Sequence, residues 1–346
     1  MSHHSSISSR QEGTPVPQAQ SRRHFHGPTP RKRTPRILLA ASLAPTFSKA
    51  IFTLAVFLIA VSGDLRAEPA VMRYIHNAPE SALDRRYEYH WKILETALEK
   101  TREKYGPYSL ETAGLMTEKR QTFELENATG ALTVMYLGTT PAMEQSLQSI
   151  PIPVDKNLGG YCVFLIRRER QEELGKIQTL AELQKVKFGL GLGWIDVDIL
   201  RASGLPVVTG SSYEGLFDML NNGRFDVFLR GAIEVIDELA TRQARYPEFE
   251  IERKVVLFYP MPMYFWFSRT VEGRRLAQRA EVGMRSMIAD GTYDRIFSAY
   301  QDEKIRRLDL KHRRIIRIPN PNLGPETTMA DKALWFDPAT YELRSP

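Results

Sequence analysis

From residue 68 onward, short apolar β-type runs alternate with segments of helical period, and this alternation restricts the fold more than any other feature of the chain. "AVMRYIH" (70–76) reads as a strand. Behind it, Tyr87, Trp91, Leu94 and Leu98 recur every three or four residues, the spacing of one helical face, until Gly106-Pro107 stops the helix. "YSLETA" predicts a second strand, "MTEKRQTFELENA" a helix, and "ALTVMYLGTT" (131–140) a third strand ending in a polar turn. Strands separated by helices call for parallel sheets with crossover connections.

The pattern continues. "GGYCVFLIRRER" (159–170) predicts a strand and "TLAELQKV" a short helix capped by Thr179. "KFGLGLGWIDVDILRASGL" reads as strand, turn and helix, and "PVVTGSSYEGLFDMLNNGRFDVFLRG" as strand, helix and strand. Ser211 and Glu214 have the spacing of a capping box. Residues 232–247 predict a further helix, "KVVLFYPMPMYFWFS" (254–268) a long β-run broken by two prolines, and "EGRRLAQRAEVGMRSMIADGTYDRIFSAY" one or two helices. A proline-rich tail with apolar groups follows, suited to wrapping a surface.

The net charge of +6 is concentrated at one end. Residues 1–67 hold nine of the 47 basic residues and two of the 41 acidic ones, leaving 38 against 39 in the rest. The basic excess therefore gives no reason to expect nucleic acid as a partner. The same segment is polar and rich in Pro and Ser before a 12-residue apolar block, "AIFTLAVFLIAV" (50–61), preceded by Lys49 and followed by "SGDLRAEPA". That is the layout of a signal peptide, with a cut expected near Ala67 and export to a periplasm. An uncleaved anchor that includes residues 37–48 stays open, as does a twin-arginine route through "SRRHF" (21–25). No Cys follows the block to carry a lipid anchor.

Catalytic signatures do not emerge. The histidines after the leader are His76, His90 and His312, none in a nucleophile motif, and G-x-S-x-G, H-E-x-x-H and P-loop patterns are missing. Glu124 and Glu126 lie two apart on a helix, which places them on different faces and reads as solvated. Cys162, the one cysteine, sits in the apolar run "YCVFLI" and reads as a small buried hydrophobe. We expect neither an enzyme, a cofactor nor a metal site.

Three stretches, "TLAELQKVKFGLGLGWIDVDIL", "SSYEGLFDMLNNGRFDVFL" and "MIADGTYDRIFSAY", together resemble the bacterial periplasmic solute-binding proteins of the amino-acid-binding kind (family 3-like), over about residues 70–305. The resemblance implies an α/β chain with the two-lobed type 2 periplasmic binding protein fold. Each lobe would be a mainly parallel sheet flanked by helices, with two hinge crossings. Residues 68–160 plus 256–346 would form lobe one and 161–255 lobe two. It further implies a small-molecule solute held in the interlobe cleft, an inner-membrane ABC permease as partner, and a monomer. The other reading is a binding-protein-like accessory or sensory protein that acts by protein contact.

Ligands of open α/β sheets lie beyond the carboxyl ends of the strands. That rule selects the turns at His76-Asn77, at Gly138 with Thr139 and Thr140, at Gly191 with Gly193 and Trp194, and at Arg230. Thr139 and Thr140 offer hydroxyls, Gly193 and Trp194 backbone donors and an indole wall. Ser212 and Tyr213 open a third helix, and Arg230 offers a guanidinium fork for an anion. Two departures alter the site. Segment 138–148 lacks the Arg with which the family grips an α-carboxylate, and Arg230 stands where the family places an Asp for the α-amine. A solute with an anionic or polar end facing Arg230 is therefore expected. "GLGLGW" is not a dinucleotide loop, because neither frame supplies the third glycine.

Overall fold

The computed structural model describes residues 70–324 and 331–344. The expected leader, its apolar block and the cut near Ala67 lie outside the described residues. No helix among the described residues is long and apolar enough to cross a membrane.

The strands gather into two groups. The first contains β1 (Met72–His76), β2 (Tyr108–Thr112), β3 (Met135–Gly138), β4 (Leu147–Ser149) and β11 (Met263–Ser268). β1 and β2 are parallel, and β11 runs antiparallel between β3 and β4. Thr133, just ahead of β3, joins the two sets: its backbone N–H donates to the Ile75 carbonyl (2.9 Å) and its hydroxyl accepts from the Ile75 N–H (2.7 Å).

The second group is a seven-stranded sheet of order β12-β10-β5-β8-β6-β7, with β9 also on β5. Its members are β5 (Tyr161–Arg167), β6 (Phe188–Gly191), β7 (Val207–Gly210), β8 (Val227–Gly231), β9 (Phe249–Ile251), β10 (Val255–Phe258) and β12 (Arg314–Arg317). β7, β6 and β8 are parallel, as expected of strands joined by helices. β5 is antiparallel to both β8 and β10, because it enters the sheet as a crossing from the other lobe.

Helices cover both groups: α1 (Glu88–Lys100), α2 (Glu118–Glu126), α3 (Pro141–Ser146), α4 (Leu180–Leu183), α5 (Ile195–Ala202), α6 (Tyr213–Asn221), α7 (Val235–Arg242), α8 (Val271–Ala289) and α9 (Thr292–Leu308). Thr179 closes the expected start of α4 in a full capping box with Glu182. The box expected of Ser211 and Glu214 is displaced by one residue. Ser212 caps α6 through the Gly215 N–H, while Glu214 is drawn to Arg242 and Ser81. The buried face of α1 is also turned from the expected one. Tyr89, His90, Ile93, Leu94, Ala97 and Leu98 point inward, and Trp91 lies half-buried, stacked on His76 at 4.2 Å. Glu124, expected to be solvated, is buried and paired with Arg120 and Thr129.

Two crossings connect the lobes, at 155–161 and 258–263. Lys156 and Asn157 adopt left-handed backbone there. The Asn157 side chain accepts the Met261 N–H (2.7 Å), tying one crossing to the other. Gly160 is required at this point, since a Cβ would lie 2.4 Å from the Tyr259 carbonyl oxygen. The tail departs from the expectation that 256–346 lies wholly with lobe one. β12 adds to the lobe-two sheet as a parallel neighbour of β10. Farther on, the Phe336 N–H bonds the Lys156 carbonyl (2.7 Å) and Phe336 packs on Tyr161. The tail thus touches both crossings, since the Ile318 N–H also bonds the Phe258 carbonyl (2.9 Å).

Arg279, in α8, is fully buried yet has no carboxylate partner among the described residues. It donates instead to the carbonyls of Leu98 (3.2 Å), near the end of α1, and of Gly106 (2.8 Å) and Pro107 (3.3 Å) in the turn that follows. In Arg279→Met the Leu98 carbonyl keeps Thr101 and the Pro107 carbonyl keeps the Met72 N–H, so the Gly106 carbonyl loses its donor, at about 1–3 kcal/mol for a buried acceptor left unsatisfied. The expected outcome is a loss of about 1–3 kcal/mol in urea denaturation; a change within about 0.5 kcal/mol, the size of an ordinary surface substitution, would remove this role.

Candidate functional site

The lobes meet across a cleft and touch. Ser81 of lobe one donates to Glu214 of lobe two (2.7 Å), and Lys304 reaches the Ile233 carbonyl (2.7 Å) and Asp237 (2.6 Å). The Arg86 guanidinium lies 3.9 Å over the Tyr213 ring. Between the lobes is a cavity of about 90 Å³, where a single water needs about 10–15 Å³. Lobe one contributes Arg86, Tyr87, His90, Glu118 and Tyr136; lobe two contributes Trp194, Asp196, Arg230 and Glu234. Leu190 and Leu229 place it at the carboxyl ends of β6 and β8, where the strand-end rule puts a ligand. A vestibule of about 250 Å³ adjoins it, sharing Tyr87, Glu118 and Trp194 and lined also by Asn77, Ser212 and Tyr213.

Local sequence explains the wall. In "GLGLGW", a Cβ at Gly189 would strike the Phe225 ring at 2.2 Å, and one at Gly191 the Trp194 indole at 2.2 Å. The alternating glycines make room for two aromatic rings rather than for a phosphate. Gly193 takes φ +88, turning the chain so that Trp194 folds back over β6. The Trp194 N–H is spent on the Gly191 carbonyl (3.1 Å), so it is not the free donor the sequence reading anticipated.

Arg230, expected to await an anion, holds carboxylates of its own. Its Nε and Nη2 donate to Glu238 at 2.8 and 2.7 Å, and Nη2 lies 2.8 Å from Glu234. Tyr213, also selected from sequence, donates its hydroxyl to Glu238 (2.6 Å). Arg86 is matched in the same way, by Asp84 (2.8 and 2.9 Å) and Glu80 (2.8 Å). Of the other selected residues, Ser212 caps α6 on the vestibule wall and Gly193 forms the turn. Thr139 and Thr140 do not line the cavity. The Thr139 hydroxyl donates to Glu144 (2.7 Å), and that of Thr140 caps α3.

The titratable groups show what the cavity lacks. Burial pushes the Glu118 carboxyl up to about 8, reinforced by the negative charge of Asp196. Burial also raises Asp196, against a hydrogen bond from the Tyr259 hydroxyl, and lifts Glu234 to about 7 despite Arg230. For Glu238 the burial cost is overcome by Arg230, and its carboxyl falls below the usual range. His90 is driven well below its ordinary value by burial and is neutral. Both its ring nitrogens, the Tyr136 hydroxyl and Glu118 Oε2 are sealed from solvent without a partner among the described residues.

Arg86, His90, Glu118, Tyr136, Asp196 and Glu234 were not selected from sequence. One signal was available for Arg86: "DRRY" places two cations at a helix N-terminus, where the helix dipole disfavours them. Glu118 gave none, as an acid at a helix start reads as dipole compensation.

No protein-family model matches the chain. No curated protein sequence matches it either. Solved structures do. An ancestral arginine-binding protein bound to arginine shares 15% identity, covers 67% of this chain and 99% of its own, and superposes with a TM-score of 0.50. An amino-acid ABC transporter substrate-binding protein from Streptococcus pneumoniae, bound to L-arginine, shares 11% identity over 68% of this chain and 94% of its own, also at 0.50. An ancestral amino-acid-binding protein, described as a precursor of cyclohexadienyl dehydratase, shares 16% identity over 72% and 99%, at 0.48. The chain has the two-lobed α/β fold of type 2 periplasmic binding proteins.

Two outcomes are expected. Arg230→Ala strands Glu238 without its counter-charge and is expected to cost about 3–5 kcal/mol in denaturant unfolding; an unchanged midpoint would contradict the pairing. For Glu118, the unfolded chain releases the proton near the ordinary value of 4.5 and the folded chain near 8. Stability therefore falls as pH rises through that window. The melting temperature of Glu118→Gln should fall less between about pH 5 and about pH 8, while Glu234 keeps part of the slope. Identical slopes would remove Glu118 as its source.

Proposed function

We propose that this chain, having the two-lobed binding-protein fold, captures a small polar solute in the cavity between its lobes. It is exported, held in a periplasm, and delivers the solute to an inner-membrane ABC permease. The observation that carries this reading is the cluster of sealed polar atoms without partners among the described residues, on His90, Glu118 and Tyr136 of lobe one, which face a cavity that Trp194 and Asp196 of lobe two close from the other side. Buried polar groups without partners are costly and mark places where another molecule completes the hydrogen bonding. Contacts such as Ser81 to Glu214 and Arg86 to Tyr213 are those a hinge closure makes around a bound solute. The two structures that superpose with a TM-score of 0.50 are described as bound to arginine, which supports capture of a small solute here.

The cavity assembles no nucleophile with a base and an orienting acid, so we read the chain as a binder and not a catalyst. Cys162, the thiol on its wall, is pushed up by burial and hydrogen-bonded to Tyr259 (3.2 Å).

One observation favours a second reading. The tail joins the lobe-two sheet through β12 and grips the hinge through Phe336, which restrains opening. A chain so restrained suits a contact protein better than a shuttling carrier.

A thermal-shift screen of the purified chain against amino acids, amines, dicarboxylates and short peptides separates the two. Under the capture reading, at least one solute raises the melting temperature by several degrees, and Trp194→Ala weakens that solute about tenfold or more. No stabilisation by any solute at millimolar concentration would favour the contact protein.

A further inference from the structure

We infer that the solute is an organic cation, an amine or guanidine that carries no carboxylate. The inference rests on the capture reading above and names the class of solute for the same cavity.

The first ground is charge. Lining the cavity or bonded to its lining, two guanidiniums, Arg86 and Arg230, meet six carboxyl groups, those of Glu80, Asp84, Glu118, Asp196, Glu234 and Glu238, of which burial favours the protonated form of Glu118 and Glu234 in the free protein. Both guanidiniums are engaged. Arg86 gives Nε and Nη2 to Asp84 and Glu80, and Arg230 gives the same pair of nitrogens to Glu238 and Glu234. Neither is left as an uncompensated cation for a solute carboxylate, which would have to displace a buried ion pair.

The second ground is hydrogen bonding. Among the described residues Glu118 Oε2 has no partner, and Asp196 is held by the Tyr259 hydroxyl rather than by a cation. Both carboxyl groups line the cavity, Glu118 from lobe one and Asp196 from lobe two, and the charge of Asp196 bears on Glu118. His90 is 2% exposed and Tyr136 is 6% exposed, and each lines the cavity with an unpartnered polar atom. A neutral imidazole leaves one nitrogen as an acceptor, and a phenol oxygen also accepts. One His90 nitrogen, the Tyr136 oxygen and Glu118 Oε2 can thus accept from a donor with several N–H groups, which is what an ammonium or guanidinium supplies, while the other His90 nitrogen and the Tyr136 O–H are donors.

The third ground is the remaining surface. Tyr87, Trp194, Leu190, Met261 and Met263 give π faces and apolar contact suited to the methylene stem of such a cation. Closure around the cation would bring a carboxylate from each lobe to one positive charge, which would oppose the mutual repulsion of Glu118 and Asp196.

Isothermal titration calorimetry of the full chain with matched pairs isolates the carboxylate. Agmatine is compared with L-arginine, and putrescine with L-ornithine; in each pair the second compound differs by its α-carboxylate. The expected result is that at least one cation binds about tenfold or more tightly than its amino-acid counterpart. Glu118→Gln is expected to weaken that cation about tenfold while melting no lower than the parent chain. Asp196→Asn serves as a second variant should the first fail to fold. Arginine or ornithine binding as tightly as its partner would overturn the solute class and leave cleft capture standing, as would tightest binding of glutamate. Failure of every cation overturns the inference. If the broad solute screen is blank as well, capture itself falls.

Discussion

The Arg230 guanidinium is 4% exposed at the carboxyl end of β8, and a charge so placed must be matched within its own lobe. Glu238 and Glu234, one turn apart on and before α7, supply the match, and Tyr213 fixes Glu238 from α6. This cluster locks β8 to the two helices that form the lobe-two side of the cleft. Trp194 lies against it, its ring 4.9 Å from the Arg230 guanidinium carbon and stacked on Phe228. The lobe-one face is organised in parallel: Arg86, held by Glu80 and Asp84, covers Tyr213 from above. Two neutralised guanidiniums therefore brace the cleft, and the chemistry between them falls to the groups they leave unmatched.

Those groups are Glu118, Asp196, His90 and Tyr136. Their cost is plain in the free protein, since desolvation works against the ionised carboxyls and leaves four polar atoms without partners among the described residues. Binding sites carry such penalties because the ligand removes them on arrival. The apolar remainder of the cavity, with two methionines and several aromatic rings, adapts in shape without adding charge.

Much of the fold is legible in the residues. The alternation from residue 70, the Thr179 cap and the resemblance of "SSYEGLFDMLNNGRFDVFL" to binding-protein lobes all point to the two-lobed α/β architecture seen here. Period and capping are local properties, so a single chain reveals them. The departures are cases in which tertiary partners outcompete local ones. Glu214 leaves its box for Arg242, and the tail strand Arg314–Arg317 pairs with β10 of the other lobe. The site was less legible for the same reason. Strand-end turns selected Trp194, Ser212, Tyr213 and Arg230, all of which border the cavity or its vestibule. That Arg230 would be neutralised by Glu238, eight residues on, depends on how α7 folds back over β8. His90 and Tyr136 come together through ring stacking at 3.6 Å between α1 and β3, a contact with no trace in spacing.

The central claim is that the unmatched carboxylates of the two lobes share one cationic group. A crystal structure of the protein grown with agmatine tests it most directly. The account predicts density for the guanidinium or amine between Glu118 and Asp196, with Arg230 still on Glu238 and Glu234. Agmatine bound elsewhere, or Arg230 released to grip an anion in the cleft, would contradict it.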